Sequence, residues 1–238
     1  SAVPMTSVSV FKQHFNRFKR IKRGYYAFVI LIAAYAVSFL LPVLVGSRAL
    51  LVRYHGSTYV PVLRFYPASE FGSNELGEAN YRALKARLAS GGDGFVLMPP
   101  YPYGPTEVLL TRPFARPSLD HVFGTDDRGR DVFARLAYGF NISMTFSLLV
   151  LVISYAVGVM LGGMLGYFGG KFDILGQRGI EIWSSLPFLY TVIILSSIVT
   201  PVYTPDHAPL LQRSFWLLVV LVSIFSWMGI TYYEIGRA

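Results

Sequence analysis

Leu136-Ala137-Tyr138-Gly139-Phe140-Asn141-Ile142-Ser143-Met144-Thr145-Phe146 opens an interval that meets no charged residue until Lys171, closing on Leu165-Gly166-Tyr167-Phe168-Gly169-Gly170. Its apolar centre, residues 146–165, matches the roughly 20 apolar residues that a helix needs to cross a bilayer. Three other stretches lack charge for as long: Tyr25 to Val45, Ile182 to Thr204 and Ser214 to Tyr233. A charge at mid-bilayer costs about 2.5–3.5 kcal/mol on the insertion scale, so such gaps mark membrane spans. The whole chain agrees: of 238 residues, 53% are hydrophobic and 14% charged, against roughly 25% charged in a soluble domain. Disorder requires the opposite composition. The absence of cysteine excludes disulfides, thiolate metal sites and cysteine nucleophiles.

The basic leader, with Lys12, Arg17, Lys19, Arg20, Lys22 and Arg23 and no acid, abuts the first span. That span exceeds the 7–15 residues of a signal-peptide core, and the cations place the N-terminus in the cytoplasm. A nucleic-acid arm is the alternative reading of the same cations. Alternation then sets the organisation. It gives a cytoplasmic N-terminus over 1–24, a first span over 25–45, and an external insertion with an amphipathic pre-helix over 46–139. A second span follows over 140–167, a cytoplasmic turn over 168–181, a third span over 182–204 and an external loop over 205–213. A fourth span over 214–233 and a cytoplasmic end over 234–238 complete it. The expected fold is an all-α membrane protein, a polytopic transmembrane helical bundle, carrying a small mixed external domain.

In the insertion, Leu50 to Tyr54 and Thr58 to Leu63 flank His55-Gly56-Ser57, which predicts a hairpin, and residues 79–88 have helical spacing. Before the second span stands Phe123-Gly124-Thr125-Asp126-Asp127-Arg128-Gly129-Arg130-Asp131-Val132-Phe133-Ala134-Arg135. Thr125 is the expected N-cap, with Asp126 and Asp127 in the first helical turn. Asp126–Arg130 and Asp131–Arg135 are spaced as i,i+4 pairs, and Val132, Leu136 and Phe140 share a face suited to the membrane surface. The three aspartates lack a calcium-loop spacing, so no metal site is expected.

Gly158, Gly162, Gly166 and Gly170 recur every four residues and predict one smooth stripe for close helix packing. Ser184-Ser185-Leu186-Pro187 marks either a simple kink or a hinge in the third span. Asn141, Ser143, Ser184, Ser185 and Tyr190 are candidate pathway-lining groups, with helix–helix hydrogen bonding as the alternative. No nucleotide-binding G-x-x-x-x-G-K-[ST], H-E-x-x-H or G-x-S-x-G occurs, so no catalytic residue, cofactor or metal is expected.

Gly124-Thr125-Asp126-Asp127-x-Gly129-Arg130-Asp131-Val132-x-x-Arg135-x-x-x-Gly139 resembles the signature before the second helix in C-type permeases of dipeptide/oligopeptide ABC importers. Gly166-Tyr167-Phe168-Gly169-Gly170-Lys171-x-Asp173 and Arg178-x-x-Glu181-x-x-x-x-x-Pro187 resemble that family's cytoplasmic turn and third helix. Leu50-Leu51-Val52-Arg53-Tyr54-x-Gly56-Ser57 and Ile180-Glu181-Ile182-Trp183-Ser184-Ser185-Leu186-Pro187 are similar to the Yej-type branch, linked to oligopeptides and microcin C. The resemblance implies a non-catalytic subunit in the bacterial inner membrane, type I ABC importer permease-like, forming half of a translocation pathway. It implies a second permease subunit, two cytoplasmic ABC ATPase subunits that hydrolyse ATP, and a periplasmic peptide-binding protein. The lipid bilayer is the remaining partner, and nucleic acid is not one. Four of the family's six helices are expected here, the chain being truncated before the coupling loop that docks on the ATPase. The alternative function is a membrane-anchored periplasmic binding or assembly protein without transport activity of its own.

Overall fold

The computed structural model describes residues 10–74, 77–91, 94–109, 113–198 and 213–235. Two compact units divide the chain between Asn141 and Ile142.

The first unit begins with helix α1 (Val10–Arg20) and helix α2 (Lys22–Ser38), which bend by 105° at Ile21. Ile21 leaves the helical region at φ −83° and ψ 76°, and Phe18 holds the corner by packing edge-on against Tyr25 and Phe28. A short helix α3 (Leu41–Leu44) follows. Next come strands β1 (Leu51–Tyr54) and β2 (Ser57–Tyr59), a 3-10 turn (Ala68–Phe71), helix α4 (Tyr81–Ala89) and strand β3 (Gly94–Leu97). The sheet order is β2-β1-β3, antiparallel throughout, with Val52 opposite both Tyr59 and Val96. The expected hairpin is therefore present, turning on His55-Gly56, and the expected helix runs from Tyr81 rather than Ala79 because Asn80 caps it, accepting the Ala83 N–H at 3.1 Å.

The core of this small mixed domain is Ala49, Val52, Ala68, Phe71, Ala79, Tyr81, Leu84, Leu88 and Val96. Tyr54, Tyr59, Tyr66 and Tyr81 surround the Phe71 ring edge-on, with centroids 5.1–6.4 Å away. Such aromatic pairs add about 0.5–1.5 kcal/mol each beyond area burial, which suits a small domain with little apolar volume. A second cluster of Leu41, Val45 and Ala134, with Tyr101, Phe133, Ala137 and Tyr138, packs α3 against helix α5 (Val132–Phe168).

Helix α5 is the one described helix that is long and apolar enough by itself to cross a membrane. The bent pair α1–α2 passes the same test only when taken together. Beyond α5, the second unit holds α6 (Gly170–Ser184), α7 (Phe188–Ile198), α8 (Arg213–Ser226) and α9 (Met228–Ile235). Part of the expected third span (199–204) and most of the loop (205–212) lie outside the described residues, as do residues 236–238. The expected turn over 168–181 is mostly helix, because only Gly169, with φ +57°, interrupts the chain between α5 and α6.

Candidate functional site

Thr125 does not cap α5. Residues 125–131 instead close a tight loop in which Asp126 N–H donates to the Arg130 carbonyl at 2.9 Å and Gly129 N–H returns to the Asp126 carbonyl at 3.0 Å. That turn uses up the residues expected in the first helical turn. The Asp126 carboxylate locks it, accepting backbone N–H groups of Arg128 and Arg130, both at 2.9 Å, and the Arg130 guanidinium at 2.8 Å. Arg135 reaches back to the same carboxylate. Partial desolvation works against ionisation, but the two backbone donors and Arg130 outweigh it and hold the Asp126 carboxyl at about 2. Thr125 accepts the Ala115 N–H at 2.8 Å through its hydroxyl.

Both motif glycines are dictated by this loop. Gly124 (φ +72°) and Gly129 (φ +73°) are left-handed, and a Cβ at either would overlap the carbonyl oxygen of Ala115 or Leu109.

The cap is Asp131, whose Oδ1 accepts the Ala134 N–H at 2.7 Å. Its other oxygen accepts the Tyr101 hydroxyl at 2.6 Å and meets His121 Nδ1 at 2.8 Å. Asp131 and His121 are each 1% exposed, so the expected Asp131–Arg135 pair is absent and a buried His–Asp pair stands in its place. Tyr103 covers His121 with ring centroids 4.3 Å apart. Burial and the bond to Asp131 push the Tyr101 phenol well above its ordinary value, so it stays a donor. The expected surface face of Val132, Leu136 and Phe140 is not the one that packs: Ala134, Ala137 and Tyr138 face the α3 cluster. The Tyr138 hydroxyl donates to the Val45 carbonyl at 2.8 Å.

The small mixed domain also forms a polar cleft of about 270 Å³ lined by Arg48, Glu78, Asn80, Tyr81, Arg82 and Glu107. Arg48–Glu78 (2.9 Å) and Arg82–Glu107 pair across it, and Arg82 also donates to the Pro102 carbonyl at 2.7 Å. Burial, then the Glu78 carboxylate, raises the Tyr81 phenol. These groups lie 25 and 30 residues apart in sequence, and only the fold brings them together.

In the second unit the glycine stripe is split. Gly158, Gly162 and Gly166 lie on α5, but Gly170 starts α6 at φ +56°. A Cβ at Gly158 would sit 2.8 Å from Ile230 Cβ and 2.9 Å from the Trp227 carbonyl oxygen, so α9 rests directly on that glycine. Gly176 of α6, not singled out by the sequence pattern, makes an equally close approach to Leu165. An apolar cleft of about 290 Å³ lies beside it, lined by Met164, Phe172, Trp183 and Trp227.

Asn141 is buried and donates to Ser38 Oγ at 2.7 Å, joining α5 to α2. Ser184 and Ser185 donate to their own helix at the Glu181 and Ile182 carbonyls, 2.9 and 2.6 Å away. Ser143 and Tyr190 are exposed. Lys171 is also exposed, Asp173 accepts from Gln177 at 3.0 Å, Arg178 pairs with Glu181 at 2.6 Å, and Pro187 stands just before α7, its carbonyl accepting the Thr191 N–H at 3.0 Å.

No family model matches the chain. Individual relatives do. The chain is 37% identical over 219 residues to the inner membrane ABC transporter permease protein YejE of Escherichia coli, covering 90% of this chain and 60% of that protein. It is 30% identical over 245 residues to the peptidoglycan transport system permease protein YejE of Agrobacterium fabrum, covering 92% and 61%. The dipeptide transport system permease protein DppC of Bacillus subtilis is 34% identical over 128 residues, 54% of this chain and 36% of that one. The chain thus spans about three fifths of the length of the Yej relatives it matches. A helical fold with a long apolar helix, the G-T-D-D-x-G-R-D loop that starts it and an alignment over nine tenths of the residues together match this chain to the Yej-type branch of the C-type inner-membrane permeases of peptide ABC transporters.

Proposed function

We propose that this chain is part of the permease subunit of an ATP-driven importer of oligopeptides and forms half of its translocation pathway. The observation that carries the reading is the 37% identity to an ABC permease across 90% of the chain. In this reading the chain crosses the bacterial inner membrane four times, over 25–45, 140–167, 182–204 and 214–233, with its N-terminus in the cytoplasm. The acid-free basic leader supports that orientation. A second permease subunit, two cytoplasmic ATPase subunits and a periplasmic peptide-binding protein complete the complex, and ATP is hydrolysed on the ATPases. The relatives' names include dipeptide, oligopeptide and peptidoglycan transport, so short peptides are the proposed cargo, with microcin C-like peptides a narrower candidate.

The loop over 124–135 acts here as a positioning clamp for α5, and Gly158 and Gly162 as packing positions. Lys171 to Pro187 form the segment nearest the cytoplasm. The test is uptake of a labelled tripeptide by a strain lacking its own peptide permeases. A full-length permease carrying these residues, expressed with its ATPase and binding protein, is expected to restore uptake and to co-purify with the ATPase. No uptake of di-, tri- or oligopeptides from a complex that assembles refutes the reading.

A further inference from the structure

We propose that α1 is an in-plane anchor that binds the headgroups of anionic phospholipids on the cytoplasmic membrane surface. Three observations carry it. The 105° bend at Ile21 turns α1 sharply away from α2, so when α2 crosses the bilayer, α1 lies near the membrane plane. The helix is two-sided: Phe11, Phe15 and Phe18 recur at i, i+4 and i+7, while Lys12, Asn16, Arg17 and Arg20 occupy the rest of its circumference.

The third observation is charge. Lys12, Arg17, Lys19, Arg20, Lys22 and Arg23 are all cationic, and the first acidic residue in the chain is Glu70. Among the described residues no carboxylate pairs with any of the six, and the α1 cations are exposed. Phe18 is spent on the corner, but Phe15 is 41% exposed, with the Lys19 ammonium 4.7 Å over its ring. An exposed phenylalanine beneath a lysine suits an interface in which the ring enters the acyl boundary and the ammonium meets phosphate. Polybasic segments gain roughly fivefold in anionic-surface affinity per Lys or Arg, so a set of six is ample for selective binding.

The inference rests on the proposed spanning of α2, and the two are tested separately. The chain has no cysteine, so single-cysteine spin labels are clean. Labels at His14→Cys, beside the phenylalanine face, and Asn16→Cys, on the polar face, are read for accessibility to oxygen and to a water-soluble nickel chelate. The protein is held in nanodiscs of phosphatidylcholine alone or with phosphatidylglycerol. A label at Ala33→Cys, mid-α2, reports the span alone. The expected result in anionic discs is nickel shielding at position 14 severalfold greater than at 16. That contrast should collapse in neutral discs, and also in anionic discs after combined K12Q, R17Q, K19Q and R20Q. Equal exposure of both labels in anionic discs overturns the anchor, as does a contrast indifferent to lipid charge. A water-exposed label at 33 overturns the span instead.

Discussion

Replacing Asp131 by alanine removes three bonds at one buried point. The first is the α5 cap, where Oδ1 holds the Ala134 N–H at 2.7 Å, and losing a cap of this kind costs about 0.5–2 kcal/mol. The others are the Tyr101 hydroxyl at 2.6 Å and His121 Nδ1 at 2.8 Å, with His121 only 1% exposed. A buried polar group left without its partner costs about 1–3 kcal/mol. The cap and the buried His121 together give about 1.5–5 kcal/mol, which at roughly 2–4 °C per kcal/mol corresponds to a fall in Tm of about 3–20 °C. D131N separates charge from geometry. Its amide oxygen still caps α5, and its NH₂ faces two groups that can accept, so it should retain most of the stability. All three tryptophans lie in the second unit, so their fluorescence is the wrong probe. The assay is hydrogen exchange at the Val122 and Ala134 amides, alongside far-ultraviolet circular dichroism melts in nanodiscs. D131A is expected to speed both amides and lower the melt. An unchanged Ala134 amide, or D131N as damaging as D131A, would falsify the cap-and-network account.

Two further outcomes follow from the same structure. Gly158→Val drives a branched side chain into Ile230 and the Trp227 carbonyl, and overpacking of this kind costs about 1–3 kcal/mol. It should lower the melt followed by Trp227 emission, whereas Gly163→Val, which meets nothing within 4 Å, should not. Asp126 has a folded-state pKa of about 2 against 3.8 in the unfolded chain. Its contribution is therefore full above about 3.8 and lost as pH falls through about 2. Asp126→Asn should flatten the pH dependence of the first unit's melting between those values, and a profile unchanged by the substitution refutes the Arg130 and backbone-donor account.

What was legible in the sequence was local. The His55-Gly56 hairpin and the helix near 81–89 sit within a few residues of their own turn and cap signals. The Asp126–Arg130 pair was readable from spacing alone, although the two residues meet in a turn rather than on a helix. The cap was not. Thr125 and Asp131 are both good cap residues, and the choice depends on Gly129 adopting φ +73° against the Leu109 carbonyl, a contact 20 residues away in sequence. Ser184 and Ser185 each donate to the carbonyl three residues back on their own helix, a bond that a serine can make on any helix and that spacing does not announce. Tyr101, His121 and the Arg48–Glu78 and Arg82–Glu107 pairs leave no periodic trace, because loops of 10 to 30 residues carry each partner to the other.

α5 is longer than a bilayer crossing needs. At 1.5 Å per residue, 37 helical residues extend about 55 Å, while the hydrocarbon core is about 30 Å thick. Tilt absorbs only part of the difference. The excess belongs at the end that is dressed in polar contacts: Asp131 with Tyr101 and His121, and Tyr138 with Val45. Ala134, Ala137 and Tyr138 pack with Leu41 and Val45 and leave Leu136, on the expected lipid-facing side, 63% exposed. The turn that Gly124 and Gly129 permit, with the Asp131 cap beside it, fixes the residue at which α5 begins.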